Sequence, residues 1–200
     1  MARYKGPKDR LSRREGVDLF GKGARLTRLN VPPGVHGPKG QASHVSEYGR
    51  QLREKQKVKR MYGILEKQFK SYVGKALKTK GNTVNALFSL IESRLDNVVF
   101  RLGFAQTRPQ ARQLVSHRHT IVNGKIVNIP SYLVKVGDTI TLSTKAMEIP
   151  SVKKLLEQKN PVVPSWLKRK GVFGKVLRLP TRDDVKEPIS DHDIIEFYSR

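Results

Sequence analysis

Four arginines are the first residues of this sequence whose type and spacing indicate a chemistry. They lie within residues 93–142, on two predicted helices. Arg94 and Arg101 belong to the first helix, whereas Arg108 and Arg112, four residues apart, share one face of the second. We expect all four side chains to point outwards. Because guanidinium groups bind phosphate oxygens through paired hydrogen bonds, the predicted chemistry is phosphate recognition.

The second helix has a well-marked start at Thr107, a good N-cap residue. Gln110, three residues later, completes a capping box, and Pro109 is tolerated in the first turn. The N-terminal end of a helix carries a partial positive charge. Flanked by Arg108 and Arg112, this end is therefore a predicted phosphate site.

Apolar residues at helical spacing must position these side chains. The first helix has an apolar stripe, and its predicted end is Gly103. Asn123-Gly124 then predicts a type I′ hairpin between two β-rich segments. The apolar positions of the two helices are Leu95, Val98, Val99, Leu102, Ala111, Leu114 and Val115.

The composition indicates a polyanionic partner. The 200 residues include 40 Lys and Arg against 17 Asp and Glu, a formal net charge of +23. Such a charge repels itself in a compact protein unless a polyanion neutralises it. No apolar run approaches the ~20 residues that a membrane span needs, and we expect no membrane partner. The sequence has neither cysteines nor the apolar region of a signal peptide, so we expect a cytosolic protein.

Most of this charge lies in residues 1–80, which hold 21 basic and 6 acidic side chains. Residues 1–45 are rich in glycine and proline and are predicted to be an extended segment ordered by a partner. A helix is predicted from Ser46 to about Tyr62. Because only Glu47 and Glu54 interrupt its basic residues, we interpret its surface as a nucleic-acid contact.

Residue patterns of enzymes are missing. The five histidines lack HExxH spacing, Gly21-Lys22-Gly23 lacks the P-loop spacing, and no GxSxG occurs. We therefore predict no catalytic residue, no metal site and no cofactor. Two alternatives remain open from the residues alone. One is a helix-turn-helix DNA regulator, and the other is an RNA-modifying enzyme carrying these helices as an appendage.

Several motifs resemble the family of small-subunit ribosomal protein number four, here called the S-four family. The stretch SRLDNVVFRLGFAQTRPQARQLVSHRHTIVNGKIVNIPSYLVKVGD is similar to the RNA-binding module named after that family. The likeness extends over essentially the full length. The other motifs that carry it are MARYKGPKDRLSRREGVDLF, PPGVHGPKG, YGRQLREKQKVKRMYGILEKQF, LRLPTRDDV and IIEFYSR.

The resemblance implies a mostly helical α+β fold with two lobes. A basic extended segment (1–45) and a helical lobe (46–93) would precede the RNA-binding domain (94–155). Residues 156–200 would pack on the N-terminal lobe. The residues predicted to bind RNA are Arg3, Arg13, Arg14, Lys22, Arg25, Arg50, Arg53, Lys55, Lys57, Arg60, Arg94, Arg101, Thr107, Arg108, Gln110, Arg112, Gln113 and His119.

The resemblance also implies a structural role in the small ribosomal subunit, in the cytoplasm or in an organelle. Family members are primary binders of small-subunit ribosomal RNA (rRNA) at a multi-helix junction in its 5′ part. They nucleate assembly and contribute to translational accuracy. Implied partners are this rRNA, ribosomal protein number five of the small subunit and, in some bacteria, the protein's own messenger RNA.

One departure from the family concerns zinc, which many members bind through four N-terminal cysteines. The matching positions here are Asp9, Ser12, Leu26 and a position near Val31. Leucine and valine side chains offer no ligand atom, so the sequence predicts a cysteine-free variant without zinc. Apolar packing or RNA contact is expected to hold the loop instead.

Overall fold

The computed structural model describes residues 4–38, 46–158 and 162–199. It is an α+β structure, mostly helical, which confirms the predicted fold class. Helices α1 to α9 span Lys8–Glu15, Glu47–Tyr62, Glu66–Lys78, Thr83–Glu92, Leu95–Arg101, Arg108–Ser116, Thr144–Met147, Pro150–Leu156 and Asp191–Ser199. Strands β1 to β5 span Thr120–Val122, Lys125–Ile126, Thr139–Leu142, Leu167–Lys170 and Phe173–Val176. Within the described ranges, every helix is too short or too polar to cross a membrane.

The chain divides into two compact units. The first unit comprises residues 1–73 and 187–200, and the second comprises residues 74–186. This division differs from the predicted one, which grouped residues 74–93 and 156–186 with the N-terminal lobe. For residues 156–186 the physical reason is backbone pairing, because β5 is hydrogen-bonded to β3 and carries β4 into the same sheet.

The first unit is built on α2, which packs against α1 and α9. The predicted start of α2 is confirmed, because the Ser46 hydroxyl accepts a hydrogen bond from the Gly49 amide at 3.2 Å. The helix ends at Gly63, whose φ of 64° suits glycine. The buried residues of this unit include Val58, Met61, Tyr62, Phe69 and Ile194.

Helix α1 corrects the expectation that residues 1–45 are extended. It runs from Lys8 to Glu15 and stops at Gly16 in the left-handed conformation. Ser12 is buried and accepts a hydrogen bond from the Leu19 amide at 3.3 Å. Glu15 forms ion pairs with two arginines of α2. These tertiary contacts stabilise a helix that is too short to be stable alone.

The second unit has one apolar core under α5, α6 and the sheet. All seven apolar positions predicted for α5 and α6 are buried in it. Side chains cap α4 and α6 of this unit. Asn82 caps α4, accepting from the amides of Val84 and Asn85 at 2.9 and 3.2 Å. Thr107 caps α6 as predicted, because its hydroxyl accepts from the Gln110 amide. The Gln110 side chain accepts from the amide of Gln106, one residue before the position that a capping box requires.

The five strands form an antiparallel sheet in the order β2-β1-β3-β5-β4. The predicted hairpin is confirmed, because Asn123 and Gly124 have φ values of 49° and 78°, as a type I′ turn requires. Beyond β3, Trp166 is buried, whereas Phe173 and Leu177 are exposed.

Candidate nucleic-acid interface

Arg94 is buried, which contradicts the expectation that all four arginines point outwards. Its side chain is 1% exposed and binds the carboxylate of Asp96 through two hydrogen bonds. The Nε–Oδ1 distance is 3.1 Å and the Nη2–Oδ2 distance is 2.7 Å. Asp96 lies in the first turn of α5, where the helix dipole favours a negative charge. The pair therefore fixes the start of α5 from within the unit.

Arg101 is held in the same way by Glu92, the last residue of α4. Its Nε and Nη2 atoms donate to the two carboxylate oxygens at 3.0 and 2.6 Å. Asn97 donates to the same carboxylate at 2.6 Å. The Glu92 side chain is 1% exposed, whereas that of Arg101 is 16% exposed. Arg101 thus neutralises a buried acid while part of its own side chain remains accessible.

The two arginines of α6 bind the same group of residues. Arg112 Nη1 lies 3.0 Å from Asp96 Oδ2, and Arg108 Nε donates to Asn97 Oδ1 at 3.0 Å. The Arg108 guanidinium also lies 4.7 Å from the centroid of the Phe100 ring. These contacts join α5 to α6. We call the connected set the arginine network: Glu92, Arg94, Asp96, Asn97, Arg101, Arg108 and Arg112.

The arginine network holds its guanidinium groups in fixed orientations. Arg101, Arg108 and Arg112 are each partly exposed and each held by a buried polar side chain. Arginine has five donors in a rigid fork, so one guanidinium can bind a carboxylate and a phosphate together. Side chains already held in place lose less entropy on binding. The arrangement suits recognition of phosphates at fixed positions.

The remaining predicted residues of this unit have mixed surroundings. Thr107 is exposed and occupied in capping, and Gln110 also donates to Ser151 at 2.9 Å. His119 is half-buried, with Nδ1 3.4 Å from the Ser143 hydroxyl. Gln113 is exposed on α6. Their role in RNA binding stays a prediction.

Much of the basic face predicted for α2 is paired with acids of the first unit. Lys55 is buried, with Nζ 2.9 Å from Glu66 and 4.3 Å from the centroid of the Phe197 ring. Lys57 is paired with Glu54, and its side chain is 12% exposed. These two partners of Lys55, the Glu66 carboxylate and the Phe197 ring, were missed because they belong to other helices. The isolated helix is therefore more cationic than the same helix within the folded unit.

Three arginines of α2 are also paired, with different degrees of exposure. Arg53 and Arg60 bind Glu15, whose side chain is fully buried. Burial raises the pKa of Glu15, and the charges of Arg60 and Arg53 oppose that rise. Arg50 pairs with Asp193 at 3.2 Å but remains 63% exposed. Arg50 is thus the most accessible of the predicted RNA-binding residues on α2.

Arg13 and Lys22 contact the N-terminal segment itself. Arg13 donates to the carbonyls of Val31 and Pro32 at 2.8 and 3.0 Å, and Lys22 is paired with Asp9. Arg14 is exposed. Two further predictions cannot be placed on the structure. Arg3 and the side chain of Arg25 lie outside the described residues.

The positions that match the zinc ligands of the S-four family do not fit a metal site. Asp9 is paired with Lys22, and the Ser12 hydroxyl accepts from a backbone amide. Leu26 is buried, and the Val31 carbonyl accepts from Arg13. An ion pair, two kinds of hydrogen bond and apolar burial hold the segment. This agrees with the expected apolar packing and adds polar contacts that were not foreseen.

Three exposed lysines that the sequence analysis did not select lie together on the sheet. Lys168 and Lys170 are on β4, and Lys175 is on β5, where the register places it opposite Lys168. The residue types gave little signal, because the alternation of buried and exposed positions along LKRK and FGKV is not an alternation of apolar and polar residues. The pairing of β4 with β5 was the missing information.

Comparisons with known proteins match the whole chain. The family described as "Ribosomal protein S4/S9 N-terminal domain" matches residues 3–92, and the "S4 domain" matches residues 93–140. Proteins named "Small ribosomal subunit protein uS4" are similar over the full length of both chains. Those of Caldicellulosiruptor saccharolyticus, Polaromonas naphthalenivorans and Halothermothrix orenii are 51%, 50% and 49% identical.

Proposed function

Because the chain belongs to the uS4 family of small ribosomal subunit proteins, we propose that it binds small-subunit rRNA as a structural component of that subunit. The family is one of ribosomal proteins rather than of enzymes. This membership agrees with the resemblance found in the sequence motifs. It also disfavours a DNA regulator or an RNA-modifying enzyme.

The observation that carries the proposal is the arginine network. Arg101, Arg108 and Arg112 are oriented by Glu92, Asp96 and Asn97, and part of each arginine side chain remains exposed. Folded RNA offers phosphates in a fixed three-dimensional arrangement, and its proteins recognise shape more than sequence. Guanidinium groups at fixed positions match such a target. The net charge of +23 supplies long-range attraction.

Replacing Arg108 and Arg112 together by alanine tests this interface. Loss of two charged donors should weaken binding to small-subunit rRNA by at least about tenfold. It should also flatten the dependence of log K on log salt by about 2, since roughly one unit is lost for each phosphate contact. Filter-binding titrations at several salt concentrations measure both quantities.

The matched control replaces Lys153 and Lys154, two exposed lysines of α8, by alanine. This change removes the same charge from outside the arginine network and should have a smaller effect. Thermal unfolding of both double variants shows whether they are folded. Unchanged affinity and slope in a folded Arg108→Ala, Arg112→Ala variant would rule out this face. Competition with duplex DNA distinguishes rRNA binding from DNA regulation.

At finer resolution, we propose that the protein is a primary binder of a multi-helix junction in the 5′ part of the rRNA. Residues 94–155 would act as the RNA-binding domain, and the protein would nucleate subunit assembly. The full-length family membership supports this. Chemical footprinting of naked rRNA with the purified chain is the test. Protection confined to one junction is expected, and protection scattered over the molecule would contradict it.

Family membership also supports further partners. We propose that ribosomal protein number five of the small subunit is a neighbour, that the chain contributes to translational accuracy, and that its own messenger RNA is a second ligand. The place of action would be the cytoplasmic small subunit. Cross-linking within purified small subunits tests the protein neighbour. A reporter that measures misreading in cells tests the contribution to accuracy.

A further inference from the structure

One face of the five-stranded sheet is uncovered in the described structure. The opposite face is buried in the core of the second unit, through Val122, Ile140, Leu142, Leu167 and Val176. Side chains alternate between the two faces along each strand. The residues between these core positions therefore form a second surface, which we call the outer sheet face.

The strand register shows how the outer sheet face is arranged. Residues directly opposite each other on neighbouring strands lie side by side on the same face. A first row crosses all five strands, and its two most exposed apolar residues are Ile126 and Phe173, at 62% and 57%. In order across the sheet, this row is Ile126, Ile121, Thr141, Phe173 and Lys170.

A second row runs beside the first and is basic. It consists of Thr139, Lys175 and Lys168, in that order across β3, β5 and β4. Lys175 is also two residues from Phe173 on the same strand. The exposed phenylalanine thus has lysines on the neighbouring strand and farther along its own. Neither row contains an acidic residue.

These lysines differ from the arginines of the helices. In the described part of the chain, Lys168, Lys170 and Lys175 form no ion pair with any acid. One alternative explanation is that lysines on an edge strand such as β4 prevent aggregation and bind no ligand. That explanation leaves the exposed ring of Phe173 unaccounted for, because an aromatic side chain at this position would promote aggregation.

We infer that the outer sheet face binds an unpaired segment of RNA, with one base stacked on Phe173 and the adjacent phosphates bound by the three lysines. Single-stranded nucleic acids are recognised by such a combination of an aromatic platform and basic side chains. The threonine hydroxyls of β3 add hydrogen-bonding groups for the sugar or phosphate. The inference rests on the proposed rRNA-binding function and assigns it a second contact surface.

Charge argues against a second copy of the chain as the occupant. In a symmetric dimer the same patch appears on both partners, so the lysines of one copy would face those of the other. An anionic membrane surface shares the charge of RNA but offers no aromatic base for Phe173. Self-association and vesicle binding are therefore measured alongside rRNA binding, so that a second copy or a membrane surface can be identified as the occupant.

The test uses the full chain and small-subunit rRNA. Phe173→Ala should weaken binding by about tenfold, the typical effect of losing one base–aromatic stack. Phe173→Tyr retains an aromatic ring and should bind like the wild type. Leu65→Ala removes another exposed apolar side chain, in the first unit, and should have no effect. Ultraviolet cross-linking of the wild type should join Phe173 to an unpaired nucleotide.

Replacing Lys168, Lys170 and Lys175 by glutamine should flatten the salt dependence by about 3. Wild-type affinity in a folded Phe173→Ala variant would overturn the inference alone. The inference would also be overturned if Phe173→Ala reduced self-association or binding to phosphatidylglycerol vesicles but left the rRNA affinity unchanged. A wild-type chain that fails to bind rRNA would overturn the proposed function, and this inference with it.

Discussion

Asp96 holds two arginines of the arginine network with one carboxylate. Its carboxylate accepts from Arg94, which is buried, and from Arg112 on α6. It also accepts from the Asn97 amide at 2.9 Å. A carboxylate that holds two guanidinium groups on different elements fixes their separation. Asp96 therefore contributes both to the stability of the unit and to the geometry of the interface.

Asp96→Ala is expected to destabilise the protein strongly. It removes the carboxylate that the buried Arg94 binds, and removing one member of a buried ion pair typically costs about 3–5 kcal/mol. Urea unfolding measures the loss of unfolding free energy. Asp9→Ala is the matched control, because it removes the acid of an exposed ion pair and should cost less than about 1 kcal/mol. Equal losses in the two variants would mean that the buried pair has no special role.

The pKa of Glu66 leads to a predicted effect of pH on the stability of the folded protein. Burial alone would raise its pKa, but hydrogen bonds from Lys59, Lys55 and Tyr198 lower the pKa from 4.5 to about 2. A carboxylate with a lowered pKa stabilises the folded state above its unfolded value. That contribution is lost as the pH falls from about 4.5 to about 2.

The comparison is between the wild type and Glu66→Gln, by urea unfolding from pH 7 to pH 3. The wild type should be the more stable at pH 7, and the difference should shrink below about pH 4.5. Tyr198→Phe removes one of the three hydrogen bonds and should give an intermediate difference at pH 7. A gap that stays constant over this range would show that Glu66 does not titrate as expected.

At the scale of elements, local signals predicted local structure. Ser46, Thr107 and Asn123-Gly124 act on backbone groups within four residues of themselves, and all three gave the right element. Helix α1 was missed because its acid, Glu15, is bound by arginines 38 and 45 residues away. A long-range ion pair leaves no periodic mark in the sequence.

The packing of strand β5 is another long-range contact that the sequence pattern does not reveal, and a substitution at Gly174 tests it. An added Cβ at Gly174 would lie 2.4 Å from Leu102, which is fully buried. Gly174→Ala should therefore cost about 1–3 kcal/mol of unfolding free energy, as overpacking does. Gly74→Ala is the control, because it lies in α3 with open space around the added atom. It should stabilise by about 0.5–1 kcal/mol. A neutral Gly174→Ala would contradict the close packing of β5 on Leu102.

At the scale of the whole molecule, the charge balance predicted a polyanion partner but not which side chains would meet it. Much of the positive charge was assigned to α2. Lys55, Lys57 and Arg60 of that helix instead neutralise acids within the first unit. Pairing between distant elements decides which cations remain accessible. The charge balance therefore predicted the class of ligand, whereas the accessibility of each cation depends on the fold.

The first unit has a discontinuous chain, and this matters during protein synthesis. Tyr198 of α9 donates to Glu66 of α3 across 132 residues of sequence. The ribosome must therefore translate all of the second unit before α9 can dock on α2. Contacts this distant in sequence form slowly, whereas a contiguous unit can fold as it emerges. We expect residues 74–186 to reach their native structure on the nascent chain while the earlier residues still wait for their closing helix.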